Sequence, residues 1–375
     1  MGTLEELGLL KMDFLGLRTL TVIRDALSYI EQGGKPAPDL DTQAFDDPAV
    51  YEMIARGDTD GVFQLESAGM RQFLRQLRPS CFEDLIAGIS LYRPGPMEQI
   101  PRYVRGKHDP SSVVYEHPLL EPILRTTYGC MVYQEQVMEI VRALAGYSYG
   151  RSDLVRRAMA KKKHDVMARE RESFVHGADG VEGAVRRGVP EDVANRIFDE
   201  MMDFASYAFN KSHATCYSWV AYQTAYLKAN YPSEYMAAVL SRNLTNIEQL
   251  TLYMNECKRM GISVLGPDIN ESMRTFSSNA AGDVRFGLAA VKGVGAAAVE
   301  SIIAERKANG PFKDIYDFVE RVNYSLVNRK CLENIAYAGG FDSISGFHRC
   351  KFFGTDLRDS SSVSYTHLTL PTTSR

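Results

Sequence analysis

Apolar residues at Leu20, Ile23, Leu27 and Ile30 recur every three to four positions, and a helical spacing of this kind runs through most of the chain as far as about residue 261. It then stops. Between Ile262 and Phe286 the text turns to short β-like runs broken by Gly266-Pro267-Asp268 and by Asn279 to Gly282, which marks a domain junction. A chain with this one change of period folds as mainly α with minor β. Short interruptions at Arg93-Pro94-Gly95-Pro96, Pro101 to Pro118 and Gly177 to Pro190 divide the helical stretch into several helices joined by turns.

Charge and composition narrow the function. The 375 residues are 45% hydrophobic, enough to bury a core in each of two or three domains. With 43 Lys and Arg against 47 Asp and Glu, the formal charge is −4, so bulk charge does not carry the chain onto a polyanion and any such site is local. No apolar run has the roughly 18 residues of a membrane helix, and Glu5 and Glu6 stand where a signal peptide carries positive charge. A soluble cytoplasmic protein is expected. The six cysteines are scattered without a C-x-x-C pair, so reduced thiols are expected and neither structural zinc nor disulfides.

Four segments bear on chemistry. Leu9 to Phe14 reads as a strand, in which Lys11 and Asp13 share one face and Leu10, Met12 and Phe14 the other. An exposed ion pair is the plain reading; a metal-binding aspartate beside a phosphate-binding lysine is the functional one. Arg151 to Arg171 reads as an amphipathic helix with Val155, Met159 and Val166 near one face and Arg157 and Lys161 opposite. Such a run is commonly a solvated face. Phe209-Asn210-Lys211-Ser212-His213 opens the next strong helix, with Ser212 or Asn210 as its cap and free N–H groups suited to an anion, within reach of Lys211 and His213. The aromatics that follow, Tyr217, Trp219, Tyr222 and Tyr226, read as packing, and Arg93 sits on a rigid turn. From Gly287 to Ile303, apolar Leu288 and Val291, the Gly293-Val294-Gly295 turn with Lys292, and then Val299, Ile302 and Ile303 fit a helix-hairpin-helix, whose glycines admit a phosphate to backbone N–H groups. A degenerate second copy is expected within Phe312 to Phe341.

Residues 7–23 (Leu-Gly-Leu-Leu-Lys-Met-Asp-Phe-Leu-Gly-Leu-Arg-Thr-Leu-Thr-Val-Ile) begin a series of motifs. Gly-Val-Phe-Gln-Leu-Glu-Ser (61–67), Leu-Tyr-Arg-Pro-Gly-Pro-Met (91–97), Tyr-Gln-Glu-Gln-Val-Met (133–138), Asp-Leu-Val-Arg-Arg-Ala-Met-Ala-Lys-Lys-Lys (153–163) and Phe-Asn-Lys-Ser-His (209–213) follow in order. Together they resemble bacterial replicative DNA polymerases of family C over residues 1–349. The resemblance implies a DNA-directed DNA polymerase, a nucleotidyltransferase that adds deoxynucleotides to a primer 3′ end with two Mg²⁺. It implies that residues 1–32 end a palm, 33–265 form helical fingers and 266–349 hold the junction and the helix-hairpin-helix DNA-binding region, with 350–375 a disordered, non-native tail.

By the same resemblance Asp13 is one of three metal-binding aspartates and Lys11 faces the nucleotide, Arg156, Arg157, Lys161, Lys211 and His213 bind its phosphates, and Lys292, Gly293, Val294 and Gly295 meet DNA. Implied partners are primer-template DNA and deoxynucleoside triphosphates and, in the intact protein, the sliding clamp, the clamp loader and a proofreading subunit. The companion Asp-x-Asp strand does not occur here, since Asp39-Leu40-Asp41 lies in a Pro-rich loop on the wrong side of Asp13. A fragment unable to polymerise alone is therefore expected, because one carboxylate does not offset two divalent cations about 4 Å apart. A non-catalytic helix-hairpin-helix module is the other reading.

Overall fold

The computed structural model describes residues 7–8, 16–160, 164–178, 180–205, 207–344, 346 and 348–353. Lys11, Asp13 and Lys161, the expected strand at 9–14 and the 354–375 stretch lie outside the described residues. The fold is mainly α with minor β. In chain order come α1 (Arg18–Gln32), α2 (Pro48–Ala55), α3 (Ala68–Leu77), α4 (Phe82–Leu91), α5 (Ile100–His108), α6 (Glu121–Leu124), α7 (Gln134–Ala145), α8 (Tyr149–Ala160), α9 (His164–Val175), α10 (Glu191–Ala205), α11 (Lys211–Asn230), α12 (Pro232–Ser241) and α13 (Ile247–Arg259). After these follow β1 (Val264–Leu265), β2 (Ser277–Ser278), β3 (Val284–Arg285), α14 (Ala296–Asn309), α15 (Ile315–Arg321) and α16 (Arg329–Ala338). No helix among the described residues is long and apolar enough to cross a membrane.

The chain forms two compact units, Leu40–Ala229 and the remainder on either side of it. Within Leu40–Ala229, local signals start and stop the helices. Asp47 caps α2 ahead of Pro48, Ser67 caps α3 by accepting from the Met70 N–H at 3.2 Å, and α7 ends at Gly146 in the left-handed region at φ 78°. Two apolar clusters result. One gathers Val50, Ile54, Leu74, Leu77, Leu85 and Tyr222; the other gathers Ile140, Leu144, Phe174, Ile197, Phe198 and Met201. Tyr217 and Tyr226 pack against the first cluster and Trp219 meets Phe45 edge-on, so these aromatics are packing residues.

Two buried cations hold loops in this unit. The Lys228 ammonium donates to the carbonyls of Asp58 at 2.9 Å and Asp60 at 2.7 Å, which offsets the cost of taking the charge out of water. Asp84, in the first turn of α4, accepts from the Ser80 N–H at 2.8 Å and from the Lys107 ammonium at 2.7 Å.

In the other unit α1 packs on α12. Its buried stripe is Val22, Ile23, Ala26 and Ile30, whereas Leu20 is 53% exposed and Leu27 only half-buried. The spacing predicts the helix and two of its inner residues, Ile23 and Ile30, while Val22 and Ala26, one turn apart, are buried in place of Leu20 and Leu27. β3 lies between β1, which it pairs in parallel (Val264 with Val284), and β2, which it pairs antiparallel (Ser277 with Arg285). Compactness groups 230–265 with α1 and the C-terminal segment, where the helical periodicity alone assigns it to the helical middle. The segment's last core gathers Leu288, Val294, Val299, Ile302, Phe312, Phe318, Ile335 and Phe341.

Replacing Asp84 with Ala leaves the Lys107 charge buried, since the two side chains are only 2% and 8% exposed. The variant is expected to lose about 3–5 kcal/mol of stability in urea unfolding, and Asp84→Ala with Lys107→Met to recover part of that loss. A loss below about 1 kcal/mol would show that the pair does not hold α4.

Candidate functional site

Tyr133 and Phe209 form an isolated parallel β-bridge, in which the Gln134 N–H donates to the Phe209 carbonyl at 2.8 Å. α7 begins immediately after Tyr133 and α11 two residues after Phe209, so the bridge sets two helix N-termini side by side. Gln136 reaches back to the Tyr133 N–H at 3.0 Å and fixes the start of α7. Asn210 accepts from the His213 N–H at 2.9 Å and is the cap of α11. The Arg93 guanidinium lies 3.7 Å from the centroid of the Phe209 ring and donates to the Ser90 carbonyl at 3.0 Å. It braces the bridge from beside the Pro94–Pro96 turn, and its burial lowers its pKa below the usual arginine value.

Three of the expected phosphate-binding residues meet at this bridge. Arg156 donates to the Gln134 side-chain carbonyl at 3.1 Å, and Gln134 in turn donates to the Ala208 carbonyl at 3.2 Å. The Lys211 ammonium stands 5.3 Å from the centroid of the Tyr133 ring and 3.1 Å from Glu83. The His213 ring lies between Phe209 and Tyr217, at 5.4 and 4.4 Å. Arg157, on the same helix as Arg156, points to water and is 63% exposed. Val155, beside Arg156 in sequence, is buried, as the amphipathic pattern predicts.

Arg156, Arg157 and Lys211 each have a carboxylate partner. Asp153 takes Arg156 at 2.7 Å and Arg157 at 2.6 Å, one and the same carboxyl group serving both. The first N–H of α11 is also occupied, since Glu135 accepts from it at 3.0 Å and from the Asn210 amide at 2.7 Å. The open anion site expected at that helix start is thus filled by a side chain of the protein itself. Asp153 is legible from its i, i+3 and i, i+4 spacing to the two arginines. Glu135 is not, because its partners lie 75 and 76 residues away.

The hairpin region differs from the expected pattern in its first arm. Residues Leu288–Ala290 make a single 3₁₀ turn and not an α-helix: Val291 leaves it in an extended conformation at ψ 121°, and the Leu288 and Ala289 N–H groups bond to the Met273 and Arg274 carbonyls at 2.9 and 3.0 Å. Lys292, Gly293 and Gly295 are exposed, and Gly293 adopts φ +83°. Val294 is a core residue, 7% exposed, and its N–H is spent on the Val291 carbonyl at 3.1 Å, so that donor is not turned to a phosphate. Where a degenerate second copy is expected, the segment between α15 and α16 turns on Asn323 and caps α16 with Asn328, which accepts from the Cys331 N–H at 3.0 Å. No group of three or more His, Cys, Asp or Glu placed to hold a metal ion occurs among the described residues. The described cysteines form no disulfide.

Residues 19–182 match the bacterial DNA polymerase III alpha subunit finger domain and residues 261–352 a helix-hairpin-helix motif. The chain thus carries a polymerase finger domain followed by a helix-hairpin-helix unit. Among curated relatives it is 48% identical over 349 residues to DNA polymerase III subunit alpha of Thermus aquaticus, covering 92% of this chain and 28% of that protein. It is 44% identical over 374 residues to that of Pasteurella multocida, covering 97% and 32%. It is a segment of the bacterial DNA polymerase III alpha-subunit family, spanning under a third of the length of these relatives.

Hydrogen bonds from Arg156, then from Arg157, hold the Asp153 carboxyl below the usual carboxylate range. A depressed carboxyl stabilises the fold above its unfolded pKa, and the effect is lost as pH falls through the folded value. Carboxyl-carbon NMR of the folded chain is expected to show Asp153 titrating below an ordinary aspartate, and Arg156→Ala to move it upward; an unmoved titration would contradict the pairing.

Proposed function

We propose that this chain supplies the fingers and part of the duplex-binding surface of a DNA-directed DNA polymerase, with the Tyr133–Phe209 bridge presenting cations to the triphosphate of an incoming deoxynucleotide. The observation that carries the reading is that Arg93, Arg156 and Lys211, remote in sequence, converge on one short bridge inside the segment that matches a finger domain or adjoins it.

Phosphoryl transfer asks a protein chiefly for positioning and for neutralisation of charge on phosphate oxygens. A guanidinium fork suits both tasks, since it binds two oxygens at once. In the free chain Asp153 stands in for those oxygens. A triphosphate that takes Arg156 and Arg157 from Asp153 exchanges one charge-assisted pair for another, so the arginines are held in place beforehand at little cost in side-chain order. Lys211, on its flexible stem, turns from Glu83 to phosphate, while Glu135 stays bound to the first N–H of α11. His213, wedged between two aromatic rings, offers an N–H to a phosphate oxygen.

For the pair of Mg²⁺ ions that polymerisation uses, the sequence offers Asp13, outside the described residues, and Asp39 and Asp41 lie in a loop. The described residues do not fit such a pair. The contribution of this chain is therefore binding and orientation of nucleotide and DNA, and the 375 residues alone are expected not to extend a primer.

Fluorescence anisotropy with a labelled deoxynucleoside triphosphate checks the reading. Arg156→Ala with Arg157→Ala is expected to weaken binding at least about tenfold, in keeping with one lost charge-assisted hydrogen bond of about 1.5–3 kcal/mol, with duplex binding retained. Unchanged nucleotide binding, or primer extension by this chain alone, would overturn it.

A further inference from the structure

We infer that Lys330 and Asn334 of α16 complete the phosphate site of the Gly293 hairpin, so that duplex backbone is held by two elements far apart in sequence and not by the glycine turn alone. The inference rests on the reading of this region as the DNA-binding part. A side chain built on Gly293 would place its Cβ 2.4 Å from Asn334 Nδ2 and 3.8 Å from Lys330 Cε. The Asn334 amide therefore presses on the Gly293 backbone, and the Lys330 ammonium, one bond beyond Cε, stands beside the turn. Glycine at 293 is required twice: by φ +83° and by the approach of α16.

Charge pairing in this segment engages its arginines and leaves the two lysines beside the turn without a carboxylate among the described residues. Its described arginines are engaged: Arg274 with Glu300, Arg285 with Glu271, Arg306 with the Ile269 and Ser272 carbonyls, Arg321 with Glu305 and Asp317, Arg329 with Glu333 and Arg349 with Asp342. Lys292 and Lys330 are exposed, flank the same turn and are joined to no carboxylate among the described residues. Next to them α14 starts at Ala296 with no side-chain cap and no acid in its first turn, and a Cβ on Gly295 would meet nothing within 4 Å. Two unspent ammonium groups and an open backbone on one small face suit a phosphodiester approached without regard to base sequence. Asn334 holds the turn and Lys330 touches the ligand.

The test is anisotropy of a fluorescein-labelled DNA duplex of about 20 base pairs against the full chain, across a series of salt concentrations. Lys330→Ala is expected to weaken binding about 3- to 10-fold and to lower the slope of log K against log salt by about one, as loss of one phosphate contact requires. Lys330→Arg is expected to keep both, and Lys307→Ala, at the far end of α14, to change neither. Asn334→Ala is expected to weaken binding without altering the slope, since it removes no charge. Wild-type affinity and slope in Lys330→Ala, with binding still lost in Lys292→Ala, would overturn the inference and leave the hairpin reading standing. A wild-type chain that does not bind duplex at all would overturn both.

Discussion

One backbone hydrogen bond, from Gln134 to the carbonyl of Phe209, organises the Leu40–Ala229 unit around its candidate site. The pairing it belongs to is parallel, so the two chains leave it in the same direction and each starts a helix at once. The positive ends of two helix dipoles are thereby brought together. The bridge also stands where the two apolar clusters of the unit meet. Tyr133 belongs to the first, and Val137, one turn into the helix it starts, belongs to the second.

That arrangement concentrates positive charge, and the protein balances it with acids. Glu135 takes the N–H at the head of α11, Glu83 takes the Lys211 ammonium and Asp153 takes two arginines. The result is a set of cations already oriented, with Arg156, Arg157 and Lys211 each facing a carboxylate. Arg93 differs from the others. Its donors go to carbonyls and its plane to the Phe209 ring, so its part is to fix the bridge. At the Gly293 turn the balance is the reverse, because the ammonium groups there are left without acids while the neighbouring arginines are paired.

Features that depend on neighbours in sequence are legible in the amino-acid order alone. Helical spacing marks α1 and α11, the Gly-Pro-Asp and Asn-to-Gly breaks mark the small sheet, and the Asn210 cap and the Asp153 pairing follow from offsets of three and four residues. Features that depend on contacts across the chain are not. The inner face of α1 is set by α12, which lies some two hundred residues on, and so Leu20 is exposed despite its apolar spacing. The 3₁₀ turn at Leu288–Ala290 stops after one turn because Val291 is extended, and the turn is tied to the distant Met273 and Arg274 carbonyls. Val294 sits inside a glycine motif whose spacing says nothing of which way its side chain points. Glu135 fills an anion site that reads, from the local sequence, as empty.

The central claim is that the residues around the Tyr133–Phe209 bridge act as one anion-binding face. Amide hydrogen exchange of the chain, with and without a saturating deoxynucleoside triphosphate, tests it most directly. Slowed exchange is expected in 153–157 and 209–213 together, with the Gly293 turn unchanged. Protection confined to one of those two segments, or found only elsewhere, would contradict a shared face.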